Sequence, residues 1–164
     1  MERTEVVVVG TGAVGSSALR HLAMNGVRVV GLDRFPPAHD RGSSHGETRV
    51  IRLAYFENAD YVPLLLRAFD LWKELEDVSG RKLYEETGLL QVGPSDGDVV
   101  KGARNSSAVY EIPIENLTHD DLKKRFPMFS VPMDMEAVFE ERAGYLLVEE
   151  CVKANLDIAV SSGA

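Results

Sequence analysis

The chain has 164 residues, is 45% hydrophobic and 27% charged, and carries a formal net charge of −8. The length suits one ordinary domain, and the composition is that of a soluble globular protein rather than a disordered one. The acidic balance argues against bulk nucleic-acid binding, which needs many phosphate-neutralising cations.

Glu2, Arg3, Thr4 and Glu5 precede only four valines, too short for a secretory h-region or a membrane span, and no later run reaches the roughly eighteen apolar residues of a spanning helix. One cysteine, Cys151, leaves no internal disulfide and no multi-cysteine metal site. His21, His39, His45 and His119 lack metal-ligand spacing, so no metal is expected. A reduced, cytoplasmic setting without a membrane is the default expectation.

VVVV at 6–9 is a β-branched run that suits a strand buried on both faces of a parallel sheet. GTGAVG follows at 10–15. The next stretch, 16–26, puts Ala18, Leu19, Leu22 and Ala23 on one helical face and stops at Gly26. VRVVGLD, 27–33, is a second strand ending on an acid. The order strand, glycine turn, helix, strand is a βαβ half-unit.

Gly10, Gly12 and Gly15 form G-x-G-x-x-G. The pattern alone is weak, but its position between a buried strand and a helix raises it. Gly10 permits the tight turn, Gly12 lets backbone approach a pyrophosphate, and Gly15 lets helix and strand pack closely. The helix N-terminus offers N–H groups and a partial positive charge to phosphates. Asp33, eighteen residues after Gly15, can accept hydrogen bonds from ribose hydroxyls and repels a 2′-phosphate. The ligand expected from these residues is an adenine dinucleotide with a free 2′-hydroxyl, NAD or FAD.

FPPAHDRG, 35–42, reads as loop. RGSSHGETRVIR, 41–52, then gathers Arg41, His45, Arg49 and Arg52 around the single carboxylate Glu47. Ser44 to Glu47 fits S-x-x-E, so a capped helix is expected to begin at His45, with His45, Arg49 and Arg52 on one face. Unanswered cations near the positive end of a helix are unfavourable, so an anion is expected to answer them. An exposed basic face paired with acids elsewhere is the alternative.

Residues 60–80 predict a long amphipathic helix with Tyr61, Leu65, Ala68, Trp72 and Leu75 on its stripe, Pro63 in its first turn and Gly80 at its end. TGLLQVGP, 87–94, predicts a strand. Residues 115–127 predict a helix with Thr118 as N-cap, Asp121 three residues on and Pro127 closing it. Residues 135–150 read as two strand pieces around Ala143 and Gly144, and 148–160 as a helix. The fold class is α/β passing into α+β.

The glycine motif, Asp33, Pro36-Pro37 and above all Gly42-Ser-Ser-His45-Gly-Glu-Thr-Arg49-Val-Ile-Arg52 resemble the N-terminal part of the monomeric sarcosine oxidase family. That family comprises flavin amine oxidases, including N-methyltryptophan and pipecolate oxidases, on a glutathione-reductase-type FAD fold. The resemblance continues through Tyr61-Val-Pro63, Leu71-Trp72, Thr87 to Leu90 and Phe139 to Cys151.

The resemblance implies FAD rather than NAD, held by Gly10, Gly12, Ala13, Val14, Gly15, Asp33, Arg34, Ser43, Ser44, Thr48 and Arg49. It implies His45 and Arg49 against the flavin, Arg52 on a substrate carboxylate, Tyr55 on the active-site loop, and Arg41 as ordinary loop charge. The implied reaction oxidises a secondary amino acid to an imine and reduces O2 to hydrogen peroxide. The implied division is 1–80 for the start of the FAD-binding domain, 81–147 for the start of the substrate domain, and 148–164 for a helix returning to the first.

Family members are about twice as long or more, so the chain is expected to be an N-terminal portion, incomplete as a stand-alone fold. The flavin-linking cysteine, the oxygen-activating lysine and the last FAD-binding glycine segment are expected outside it. Cys151 does not match the flavin-linking cysteine and reads as core. Alone, the chain is expected to expose a sheet edge and bind FAD poorly. Two other readings stay open: an NAD-dependent dehydrogenase, and a non-catalytic chain or subunit completed by a second polypeptide.

Overall fold

The computed structural model describes residues 3–164; Met1 and Glu2, the start of the charged segment ahead of the first strand, lie outside the described residues. The elements are β1 Val6–Val9, α1 Ala13–Met24, β2 Val29–Leu32, β3 Thr48–Ile51, a 3-10 turn at Ala59–Tyr61, α2 Val62–Ser79, β4 Tyr84–Glu86, β5 Leu89–Pro94, α3 Asp98–Tyr110, β6 Glu115–Leu117, α4 His119–Arg125, β7 Met135–Glu140, β8 Gly144–Leu147 and α5 Val148–Ser161. This is a mixed α/β chain that divides into two compact units. The first holds residues up to Arg49, Leu71–Glu85 and Leu146–Ala164, and the second holds Val50–Asp70 and Glu86–Tyr145.

In the first unit β1 and β2 run parallel, with Val6 opposite Val29 and Val9 opposite Leu32. The core gathers Leu19 and Ala23 of α1, Val29 of β2, and Val152, Leu156 and Ala159 of α5, with Val6 and Val8 against them. Strand alternation turns the intervening residues the other way: Val7 is 48% exposed and Val9 83%. The expectation that VVVV is buried on both faces is therefore corrected, since α1 and α5 cover one face of the pair. Ala18 is likewise exposed, and Arg20 takes the buried place on α1.

The second unit holds an antiparallel sheet ordered β5-β7-β6, with Leu89 opposite Glu140 and Leu117 opposite Ala137. Leu117, Leu122 and Ala137 form its small core with Leu90, Phe126, Val131 and Phe139 around them. Thr118 caps α4 in a full capping box with Asp121, as the sequence predicts. Residues 115–117, however, form β6 and not the helix start, because they pair with β7.

Helix α3 has no counterpart among the sequence expectations. Gly102, Asn105, Ser106 and Ser107 weaken its intrinsic propensity. Tertiary packing imposes the glycine: a Cβ at Gly102 would lie 2.8 Å from the carbonyl carbon and the Cα of Phe56. Helix α2 matches its expected span and ends at Gly80, whose φ is +65°. Val62, Phe69 and Leu75 are its buried residues and Tyr61 is exposed.

Candidate active site

The glycine turn sits in the first unit and takes the expected conformation. Gly10 has φ +90° and donates its N–H to Leu32 O at 2.7 Å. A Cβ at Gly15 would overlap the Gly10 carbonyl oxygen and lie 2.9 Å from its carbon, so only glycine lets α1 start this close to β1. Gly12 is the N-cap of α1 and brings no side chain to the helix entrance. Ala13 begins the helix and Val14 is 86% exposed beside it.

Asp33 faces this turn. Its Oδ2 accepts from the Thr11 N–H at 2.6 Å and the Thr11 hydroxyl at 3.0 Å, and its Oδ1 accepts from the Phe35 N–H at 3.3 Å. His39 Nε2 lies 3.3 Å from Oδ1. The Thr11 N–H above all, with that of Phe35, holds the Asp33 carboxyl well below the usual carboxylate range. Arg34 stacks on Phe35 at 5.5 Å. A cleft of about 330 Å³ is lined by the glycine turn, Asp33 to Phe35, His39 and the 41–44 loop.

A depressed acid stabilises the folded state above its unfolded pKa, and that contribution fades as pH falls through the folded value. Asp33→Asn is therefore expected to be less stable than wild type at about pH 7, with the gap narrowing below about pH 4. Urea denaturation at both pH values measures this.

The cationic stretch corrects the helix expectation. Gly46 has φ +93° and Glu47 φ +64°, both left-handed, and the chain enters β3 at Thr48. No helix starts at His45. The Ser44 hydroxyl instead accepts the N–H of Ala13, at 3.0 Å, and so caps α1. Glu149, at the start of α5, takes the N–H groups of Gly46 and Glu47 at 2.8 and 3.3 Å. Burial pushes the Glu149 carboxyl up, but these N–H groups and nearby His45 outweigh it and leave it below its ordinary value. Arg49 donates to the carbonyls of Ser43 and Thr48, which ties it to the 43–48 loop. His45 Nδ1 is buried without a partner.

Arg52 and Tyr55 fall in the second unit. The Arg52 side chain is 16% exposed, and its Nη2 donates to both Glu57 oxygens at 2.8 Å. Its guanidinium lies 4.4 Å from the Tyr55 ring centroid and 5.1 Å from that of Phe56. Arg52 Nε is buried and unpartnered. The arrangement presents a guanidinium, flanked by aromatic rings and already holding a carboxylate.

Of the residues expected from the sequence, Gly10, Gly12, Asp33, Arg34, Ser43 and Ser44 line one cleft, Ala13, Val14 and Gly15 follow in the first turn of α1, and Thr48 and Arg49 open β3. Thr11, His39, Glu57 and Glu149 were missed. Thr11 lies inside the motif itself, whereas Glu149 stands 103 residues from Gly46 and nothing local signals it. The residues fit an adenine dinucleotide: the glycine cradle has no room for a Cβ at Gly15, Gly12 brings no side chain to the helix entrance, and His45 keeps an orphaned ring nitrogen. Gly10, Gly12, Asp33 and Ser44 are the groups that would hold FAD.

Among curated proteins, the chain is 41% identical over 160 residues to the monomeric sarcosine oxidase of Streptomyces avermitilis, covering 98% of this chain and 42% of that protein. It is 37% identical to the N-methyl-L-tryptophan oxidase of Yersinia pestis, covering 97% of this chain and 43% of that protein. A solved structure of NikD, an unusual amino acid oxidase, superposes with a TM-score of 0.87 at 30% identity, covering all of this chain and 42% of that one. The chain therefore spans about 42% of the length of the relatives it matches. Residues 5–164 match the family described as DAO, FAD dependent oxidoreductase. The chain belongs to that FAD-dependent oxidoreductase family.

Proposed function

We propose that the chain contributes the FAD cradle and the substrate-carboxylate contact of an amine oxidase acting on secondary amino acids of the sarcosine type. The observation that carries this is Arg52, flanked by Tyr55 and Phe56 and paired through Nη2 with both oxygens of a carboxylate. The substrate carboxylate would take the place of Glu57 on that guanidinium. Arg suits the role because its planar fork matches a carboxylate and stays charged. The relatives' names support the substrate class: sarcosine and N-methyl-L-tryptophan are both N-methylated amino acids with a free carboxylate.

FAD held by Gly10, Gly12, Asp33 and Ser44 would supply the redox chemistry, a two-electron acceptor for the hydride equivalent of the amine carbon with O2 as the final oxidant and hydrogen peroxide as product. His45 and Arg49 would face the cofactor ring, where a cation favours added negative charge. The orphaned His45 nitrogen and the Glu149 clamp on its loop support a fixed place for that ring. Residues 1–80 with 148–164 would serve cofactor binding, apart from Arg52 and Tyr55 on the 50–70 segment of the second unit, and 81–147 would begin the substrate domain. Cys151 is no flavin link in this reading: burial pushes its thiol up to about 12, which keeps it unreactive. Among the described residues no helix is long and apolar enough to cross a membrane. A cytoplasmic setting is part of the proposal, in keeping with one buried, unpaired thiol.

The test is peroxide release by the whole protein across a panel of amines. Sarcosine and larger N-methyl amino acids should yield peroxide, and their methyl esters should react poorly. A flavin-loaded protein that releases no peroxide with any of them contradicts the proposal.

A further inference from the structure

Six polar side chains are buried among the described residues: Ser16, Arg20, Gln91, Ser106, Glu140 and Asn155. Three of them, Gln91, Ser106 and Glu140, belong to the second unit. All three bond the main chain of residues 53–55. Glu140 accepts the N–H of Leu53 at 2.7 Å through one oxygen and that of Ala54 at 2.8 Å through the other. The Gln91 amide donates to Ala54 O at 3.4 Å, and the Ser106 hydroxyl to Tyr55 O at 2.5 Å. Gly102 leaves no space on the next residue, Phe56.

This convergence is more than a turn requires. Here the two adjacent N–H groups each take a separate oxygen of one fork, an arrangement that an ionised carboxylate offers and an amide, with one oxygen, does not. Yet a carboxylate 1% exposed is costly to bury. Burial holds the Glu140 carboxyl above its ordinary value, and the two N–H groups and the guanidinium groups of Arg52 and Arg142 only partly offset it. The segment so held runs between Arg52 and the two rings that flank its guanidinium, Tyr55 and Phe56.

We infer that Glu140 is a positioning residue for substrate recognition: by gripping Leu53 and Ala54 it fixes the backbone that aligns Tyr55 and Phe56 with Arg52, and thereby sets the affinity for a substrate carboxylate. Ser106 and Gln91 complete the same clamp. Glu140 touches neither substrate nor cofactor in this account, and the inference rests on the role of Arg52 proposed above.

The experiment compares wild type and Glu140→Gln in the whole, flavin-loaded protein, with an N-methyl amino acid and its methyl ester. Gln keeps the size but sets an NH2 group against one of the two N–H donors. KM for the free acid should rise about tenfold, with kcat changed much less and kcat/KM for the ester within about twofold. Glu140→Asp, which keeps the charge, should recover part of the loss. Unchanged KM for the acid, or an equal fall for acid and ester, overturns the inference and leaves the functional reading standing. Wild-type protein that oxidises no amine, or treats acid and ester alike, overturns both. Should Glu140→Gln not fold, Ser106→Ala and Gln91→Ala decide: the same acid-selective rise supports the clamp, and its absence in both overturns it.

Discussion

Arg52→Ala in the whole protein should raise KM for a carboxylate-bearing amine about a hundredfold or more, with a much smaller change in kcat. Truncating one partner of a desolvated charge pair costs roughly 2–5 kcal/mol, and each 1.4 kcal/mol is about tenfold in affinity. The Arg52 side chain is 16% exposed, so little water screens the contact. A loss of uniform binding shows in KM and not in kcat. Arg52→Lys should recover only part of the loss, because an ammonium keeps the charge without the planar fork or the ring stacking over Tyr55 and Phe56. The ester of the same amine should be nearly indifferent to both changes. Initial-rate kinetics by peroxide release reads all of these, and an Arg52→Ala variant with wild-type KM removes Arg52 from the substrate site.

Gly15→Ala should remove bound FAD and destabilise the first unit by an amount near or above the upper end of the roughly 1–3 kcal/mol typical of overpacking. The new Cβ would overlap the Gly10 carbonyl oxygen and sit 2.9 Å from its carbon and 3.3 Å from Val8 Cγ1. Two of these are backbone atoms of the phosphate turn, so no side chain can swing aside. Either α1 moves off β1 or the turn is lost, and both remove the cradle. Gly12→Ala provides the comparison, because its Cβ would meet only the Ser44 side chain, 3.1 Å from Oγ. That hydroxyl can rotate, at the expense of its cap on Ala13. The expected order is wild type, then Gly12→Ala, then Gly15→Ala, in both flavin content and urea midpoint. Equal flavin content in Gly15→Ala and wild type contradicts the cradle.

The parts legible in the sequence are those whose partners lie close along the chain. β1, α1 and β2 follow from a β-branched run, a glycine turn and a helical stripe, and Thr118 caps α4 with Asp121 three residues away. The failures lie where distant groups decide. Ser44-x-x-Glu47 has the pattern of a capping box, but Ser44 caps a helix 31 residues earlier in the chain. Glu149 meanwhile claims the N–H groups of Gly46 and Glu47. Those long-range bonds hold Glu47 in a left-handed conformation that its own propensity disfavours, next to Gly46, which adopts one freely. Helix α3 was hidden by Gly102, whose reason is the close approach of Phe56.

The candidate site was legible to the same extent. The glycine turn and the placing of Asp33 against it read directly, since the motif spacing fixes the strand, turn and helix that bring them together. His45, Arg49 and Arg52 were found through a family resemblance, and the helical face first proposed for them is absent. They occupy a loop, a strand and the residue after that strand. Glu57 and Glu140, which bond Arg52 and the segment behind it, carry no sequence signal beyond their acidity.

Anaerobic addition of an N-methyl amino acid to the whole protein, followed by air, tests the central claim most directly. A yellow protein whose visible flavin absorbance bleaches with the amine, is indifferent to NADH, and recovers in air with release of hydrogen peroxide is the predicted result. A colourless protein that binds NADH reversibly, or a flavoprotein that no secondary amino acid bleaches, would contradict the account.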